Sequence, residues 1–194
     1  MSQFWSAALL GTALVATTPA IASAATFSFS GSIDGSQQVP PNGSAASGFY
    51  TATLDGEPDA WSFTYEVSFT GLSDGLALAH IHLGDRGATG SVVHDLDNTA
   101  PLVAAGVKGG TISGDWLSTE VAPGVSPADV YNRFLAGGYY FNIHSAGPFL
   151  QAGEIRGQIE PTAVPEPMTM LGVLAAGGLG VAARRKQRSQ RPGS

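Results

Sequence analysis

The 194-residue chain has no cysteine. That excludes a disulfide scaffold, Cys-ligated zinc or iron–sulfur centres, and any cysteine nucleophile. Charge is also scarce. Charged side chains make up 12% of the sequence, about half the usual quarter. Basic residues are nearly absent from the middle. From Ala25 to Val164 there are four basic and fourteen acidic residues, a formal charge of −10. Five of the nine Lys and Arg lie in the last eleven positions. Contact with phosphate backbones needs clustered cations, so a nucleic-acid partner is excluded. Long apolar runs are missing as well. Neither terminal run reaches the ~20 residues that span a bilayer.

What the chain does have is glycine (26) and proline (12), a composition of strands joined by tight turns. The length fits one domain. The clearest alternation runs from Trp61 to Phe69, with Trp61, Phe63, Tyr65, Val67 and Phe69 on one face and Ser62, Thr64, Glu66 and Ser68 on the other. That pattern is a half-buried antiparallel strand. Further strands are expected at Thr26–Ile33, Phe49–Leu54, Leu76–Leu83, Val92–Leu96, Thr111–Leu117, Tyr139–His144 and Glu154–Ile159. Asp55-Gly56 reads as the turn after the second of them. One helix is expected from a Ser126 N-cap and Pro127 to just before Gly137-Gly138. The fold class is therefore all-β: an antiparallel sandwich or flattened barrel with one short helix.

The two ends read as addresses. Residues 1–24 form a secretory signal with an apolar stretch, Ala7–Ala16, and an Ala22-Ser23-Ala24 cleavage site, although the first residues lack Lys and Arg. At the other end, Pro165-Glu166-Pro167 precedes an apolar run, Met168–Ala183, and then Arg184-Arg185-Lys186. Sixteen helical residues span about 24 Å, short of a ~30 Å hydrocarbon layer. The tail therefore reads as a transient membrane tether with its basic end held on the cytoplasmic side. This ending resembles the PEP-CTERM sorting signal of Gram-negative bacteria. The resemblance implies a membrane transpeptidase of the exosortase kind as partner, and delivery to the cell surface or exopolysaccharide matrix. A plain C-terminal membrane anchor is the alternative. The organisation is then a signal peptide (1–24), a β-domain (25–161) and a sorting tail (162–194).

Chemistry in the body concentrates on three strands. Alternation places His80 and His82 on one face of their strand, Asn142 and His144 on one face of theirs, and Glu154 and Arg156 on one face of the last. Three readings of this set stay open. His80, His82 and His144 suit zinc or copper. A structural network is the second, with Glu154 pairing with the histidines and Arg156 with a carboxylate such as Asp85. The third is a wet face that recognises a protein or surface polysaccharide. His94 has no assigned role. There is no G-x-S-x-G, no phosphate-cradling loop and no defensible Ser-His-Asp spacing, so no catalytic residue is assigned.

The string Ala79-His80-Ile81-His82-Leu83-Gly84, then Tyr140-Phe141-Asn142-Ile143-His144-Ser145 and Gly153-Glu154-Ile155-Arg156-Gly157-Gln158-Ile159 resembles the chordin-type (CHRD) domain. Gln38-Val39-Pro40-Pro41 and Phe69-Thr70-Gly71-Leu72 add to the likeness, whereas Ala104–Asn132 lies outside it. The resemblance implies an immunoglobulin-like β-sandwich of the kind found in secreted proteins; with no catalytic constellation in the sequence, the chain reads as a non-enzymatic binding or structural module. The alternative is a zinc- or copper-binding sandwich with redox or hydrolytic activity through its histidines.

Overall fold

The computed structural model describes residues 25–96 and 106–162. The expected signal sequence and the expected sorting tail, including Pro165, Glu166, Pro167, Arg184 and Arg185, lie outside the described residues. Among the described residues no helix is long and apolar enough to cross a membrane.

Eight strands form: β1 (Ala25–Asp34), β2 (Ser47–Glu57), β3 (Ala60–Thr70), β4 (Leu76–Leu83), β5 (Val92–Asp95), β6 (Gly110–Leu117), β7 (Tyr139–Ser145) and β8 (Ile155–Ile159). They make one antiparallel sheet in the order β5-β4-β7-β8-β1-β2-β3-β6. The sheet curls into a nearly closed, barrel-like sandwich, the flattened-barrel form of the expected class. Period-two alternation gives the sheet one apolar face, which the curl encloses. Phe29 and Ile33 of β1, Tyr50 and Leu54 of β2, and Phe63, Tyr65 and Val67 of β3 meet Phe141 and Ile143 of β7 in one core.

Two seams mark where the closure is incomplete. Between β1 and β8 the only ladder pair is Asp34 with Arg156, and Tyr50 spans the gap by donating from its hydroxyl to the Gln158 carbonyl at 2.7 Å. The other seam separates the edge strands. There the His94 ring of β5 stacks on Trp116 of β6, with centroids 5.2 Å apart, and lies 3.4 Å from the Tyr65 hydroxyl. Side chains close this seam where no ladder does.

The helix α1 (Pro127–Leu135) caps the core. Its apolar stripe of Val130, Tyr131 and Phe134 is buried. Phe134 stacks on Phe63 at 4.2 Å and meets Trp61, Trp116 and Tyr139 edge-on or tilted. Pro127 opens the helix as expected, but Ser126 makes no side-chain cap. The Pro127 carbonyl instead accepts from the Trp61 indole at 3.0 Å.

The expected turn at Asp55-Gly56 is displaced. Strand β2 runs on to Glu57, which pairs with Ala60, so Pro58-Asp59 makes the turn. Proline fixes the backbone angle a turn needs and cannot extend the ladder, which decides between the two positions. The Ala104–Asn132 stretch supplies β6 and most of α1, both integral to the core.

Phe134→Ala is expected to lower stability by about 3–5 kcal/mol, because Phe29, Trp61, Phe63, Trp116 and Tyr139 would border the cavity. Urea unfolding would read this as a lower midpoint.

Candidate functional site

Strands β4, β7 and β8 lie side by side, in regular register from Leu78 to Leu83 after a shift between Leu76 and Leu78. His80 pairs with Asn142, which pairs with Arg156; His82 pairs with Tyr140, which pairs with Gln158; His144 stands opposite Leu78. The face away from the aromatic core therefore collects the expected set. It is not a wet face. Tyr140, Asn142, His144, Glu154, Arg156 and Gln158 are all buried, because residues 35–46, 84–91 and 146–153 fold over them.

Glu154 carries the carboxylate of this layer. It accepts from the Ser145 hydroxyl, from Ser44 Oγ at 2.6 Å and from the Ser73 backbone N–H at 2.9 Å. Burial pushes its carboxyl pKa up, but these hydrogen bonds outweigh burial and hold it below the ordinary value. No histidine pairs with it, contrary to expectation. The serines reach it first because three chain segments converge on its side of β8.

Arg156 also departs from expectation. The Asp85 carboxylate is taken by Arg133 at the surface, at 3.2 Å. Arg156 instead donates to the backbone carbonyls of Ala88 (2.7 Å) and Asp85 (3.0 Å) and to Gln158 Oε1 (2.7 Å). Its guanidinium carbon sits 3.6 Å from the Tyr140 ring centroid. A buried cation is thus solvated by carbonyl dipoles and a π face.

The amides complete the network. Gln158 Nε2 donates to the carbonyls of Gly84, Gly137 and Tyr139. Asn142 accepts from Gln38 at 2.7 Å and donates to the Ala152 carbonyl. Gly153, beside it, has φ +85°, and an added Cβ would lie 2.1 Å from Asn142 Oδ1. Only glycine meets both demands.

The three histidines come together at the end of this layer. Ring centroids lie 5.1 Å apart for His80–His144, 5.6 Å for His80–His82 and 5.9 Å for His82–His144. One ring nitrogen from each lies within 4.8 Å of the others. His82 Nδ1 bonds the Gly90 carbonyl and His144 Nδ1 the Leu150 carbonyl, both at 3.0 Å. A carbonyl only accepts, so both rings carry hydrogen on Nδ1 and a lone pair on Nε2. Those two Nε2 atoms are buried and make no hydrogen bond. His80 Nε2 lies 3.4 Å from Asp95 on β5. Burial lowers the pKa of His82, and that of His144 to about 4, so both are neutral at pH 7. Neutral imidazoles with inward lone pairs can bind a cation or accept a proton.

By the same parity Tyr140 shares the face of Asn142 and His144, and Gln158 that of Glu154 and Arg156. Two other contributors escaped sequence reading. Gln38 and Asp95 carry no such signal, since each reaches the layer through a loop or a neighbouring strand. His94 lies apart from the cluster and serves the β5–β6 seam.

Glu154→Gln is expected to cost about 1–3 kcal/mol at pH 7, since one amide arm offers hydrogens to groups that also donate. A carboxyl with a depressed folded pKa stabilises above its unfolded value and loses that contribution as pH falls through the folded one. The deficit of the variant should therefore narrow below about pH 4.3. Urea titrations at pH 7 and in acid would check this; a deficit independent of pH would contradict it.

No curated protein and no solved structure matches the chain. A family model does, the CHRD domain, over residues 29–159. This match runs from β1 through β8 and takes in the His-x-His strand, the Asn-x-His strand and the buried Glu-x-Arg-x-Gln stripe. The chain belongs to the CHRD-domain family.

Proposed function

We propose that this chain is an exported, cell-surface or matrix-associated CHRD module that binds or scaffolds and does not catalyse. The observation that carries this reading is how the polar side chains are used. Glu154, Arg156, Gln158 and Asn142 are buried and bonded to the chain itself, which leaves none of them open to a substrate.

Export rests on the two ends of the sequence, the leader 1–24 and the Pro165-Glu166-Pro167, apolar, Arg184-Arg185 tail. A sorting transpeptidase is the partner that such a tail would meet. The body is suited to an extracellular life without disulfides, because its loops are fastened by hydrogen bonds that no change of redox state affects.

For recognition, the opposite side of the barrel supports a hydrated polysaccharide. Outward residues of β1, β2 and β3 line an open groove of about 500 Å3, with Ser28, Ser30, Thr51, Thr53, Thr64 and Glu66 on its floor. Ladder register sets these hydroxyls in rows: Ser28 beside Thr53 beside Thr64, and Ser30 beside Thr51 beside Glu66. Regularly spaced donors and acceptors match the hydroxyls of an extended sugar chain.

Protein recovered from the native host's surface or matrix should begin at Ala25 and lack Arg184–Ser194 by mass spectrometry. An intact C-terminus on released protein would overturn the sorting assignment. Co-sedimentation with the host's own exopolysaccharide should fall several-fold in a Thr53→Arg/Thr64→Arg double variant whose circular dichroism is unchanged. Equal co-sedimentation would remove the groove from the account.

A further inference from the structure

We propose that His80, His82 and His144 form a three-histidine site for one zinc or copper ion, built into the buried polar layer. The site goes beyond the module reading, since a binding or scaffolding module can exist with or without it.

The argument starts from tautomers. A metal-ligating histidine characteristically donates its second ring N–H to a carbonyl or carboxylate, which fixes the ring and raises its basicity. Two of the rings have such a partner, Gly90 O for His82 and Leu150 O for His144, and the Asp95 carboxylate lies 3.4 Å from His80 Nε2. For His82 and His144 the remaining nitrogen, Nε2, is a lone-pair atom buried without a hydrogen bond. Both residues are more than nine-tenths buried. An unmatched buried acceptor costs about 1–3 kcal/mol. Two such atoms in a cluster where one ligand nitrogen of each histidine lies within 4.8 Å of the others call for a shared partner.

Geometry allows an ion to be that partner. The three ligand nitrogens lie within 4.8 Å of one another. Nitrogens around a tetrahedral ion with bonds of ~2.0–2.1 Å sit about 3.3 Å apart, so ring shifts of up to about 1.5 Å close the site. His80 is the least buried of the three, its side chain 13% exposed, and it opens the way for an ion and for a water as fourth ligand. Three imidazole donors without thiolate favour zinc and copper, whereas calcium and magnesium prefer oxygen donors.

The backbone is shaped for the same end. Gly90 must lack a side chain, because an added Cβ would lie 1.7 Å from the Leu83 carbonyl oxygen. That close approach brings the Gly90 carbonyl over His82 Nδ1.

The test uses the full chain, stripped with a chelator and titrated with Zn2+ and Cu2+ by calorimetry, with bound metal counted by mass spectrometry. One equivalent should bind, and His144→Gln should weaken binding at least ~10-fold. Asp95→Asn, at an exposed carboxylate, should preserve the fold and weaken binding about 10–100-fold, as loss of an orienting partner does. Because His144→Gln disturbs a buried position, the Cu2+-loaded unaltered protein gives an independent reading: paramagnetic resonance should show coupling to three imidazole nitrogens. No bound metal, affinity unchanged in a folded His144→Gln protein, or fewer than three nitrogen couplings would overturn the proposal.

Discussion

The fold depends on strand β8 and the residue before it turning Glu154, Arg156 and Gln158 away from the aromatic core and still keeping them dry. Burying a carboxylate and a guanidinium costs several kcal/mol each unless their hydrogen-bonding capacity is met. The two charges do not meet it for one another. Glu154 is met by two serine hydroxyls and a backbone N–H, Arg156 by two loop carbonyls, a glutamine oxygen and the Tyr140 ring. The partners come from residues 35–46, 73, 84–91 and 145, which are far apart in sequence. A satisfied network of this kind rigidifies, whereas a partly satisfied one is worse than an apolar core. The loops are therefore parts of the fold, not its decoration.

How much of this was legible follows from the range of each constraint. Parity along one strand is local, so the sequence alone placed His80 with His82, Asn142 with His144, and Glu154 with Arg156. The strand positions were equally readable, because Trp61–Phe69 and its neighbours alternate without interruption. Turn choice was less secure. Asp55-Gly56 and Pro58-Asp59 are both good turn dipeptides, and the proline, which cannot extend the ladder beyond the Glu57–Ala60 pair, selects the second. The hydrogen-bond partners were beyond reach. Gln38 and Asn142 are 104 residues apart, and nothing in either neighbourhood names the other. Reading charges as seeking opposite charges also misled: Asp85 helps hold Arg156 through its backbone oxygen while its carboxylate faces Arg133.

The second thing hidden from the sequence was closure. Eight alternating strands fit two stacked sheets or one curled sheet, and the difference lies at two seams. A single ladder pair, Asp34 with Arg156, joins β8 to β1 and makes the sheet continuous. At the far seam His94 and Trp116 stack between the two edges. Exposed sheet edges template unwanted pairing, and short or covered edges blunt it. Here β5 is only four residues long and its histidine is turned inward, so the residue with no role in the sequence reading closes the barrel.

These features also tie the histidines to β8. The carbonyls that fix the rings belong to Gly90 and Leu150, each in a loop that the polar stripe holds: Arg156 grips Ala88, two residues before Gly90, and Asn142 grips Ala152, two residues after Leu150. Releasing either grip frees the carbonyl that sets a histidine's tautomer, even though the grip itself never touches the imidazole. The His-x-His strand and the Gly-Glu-x-Arg-Gly-Gln strand are therefore one physical unit, coupled through loop backbone across β7. That coupling explains why the histidine strand and the Glu-Arg-Gln strand belong in the same domain. Either one alone would leave buried polar atoms without partners, and together they leave His82 and His144 each with one lone pair still to be filled.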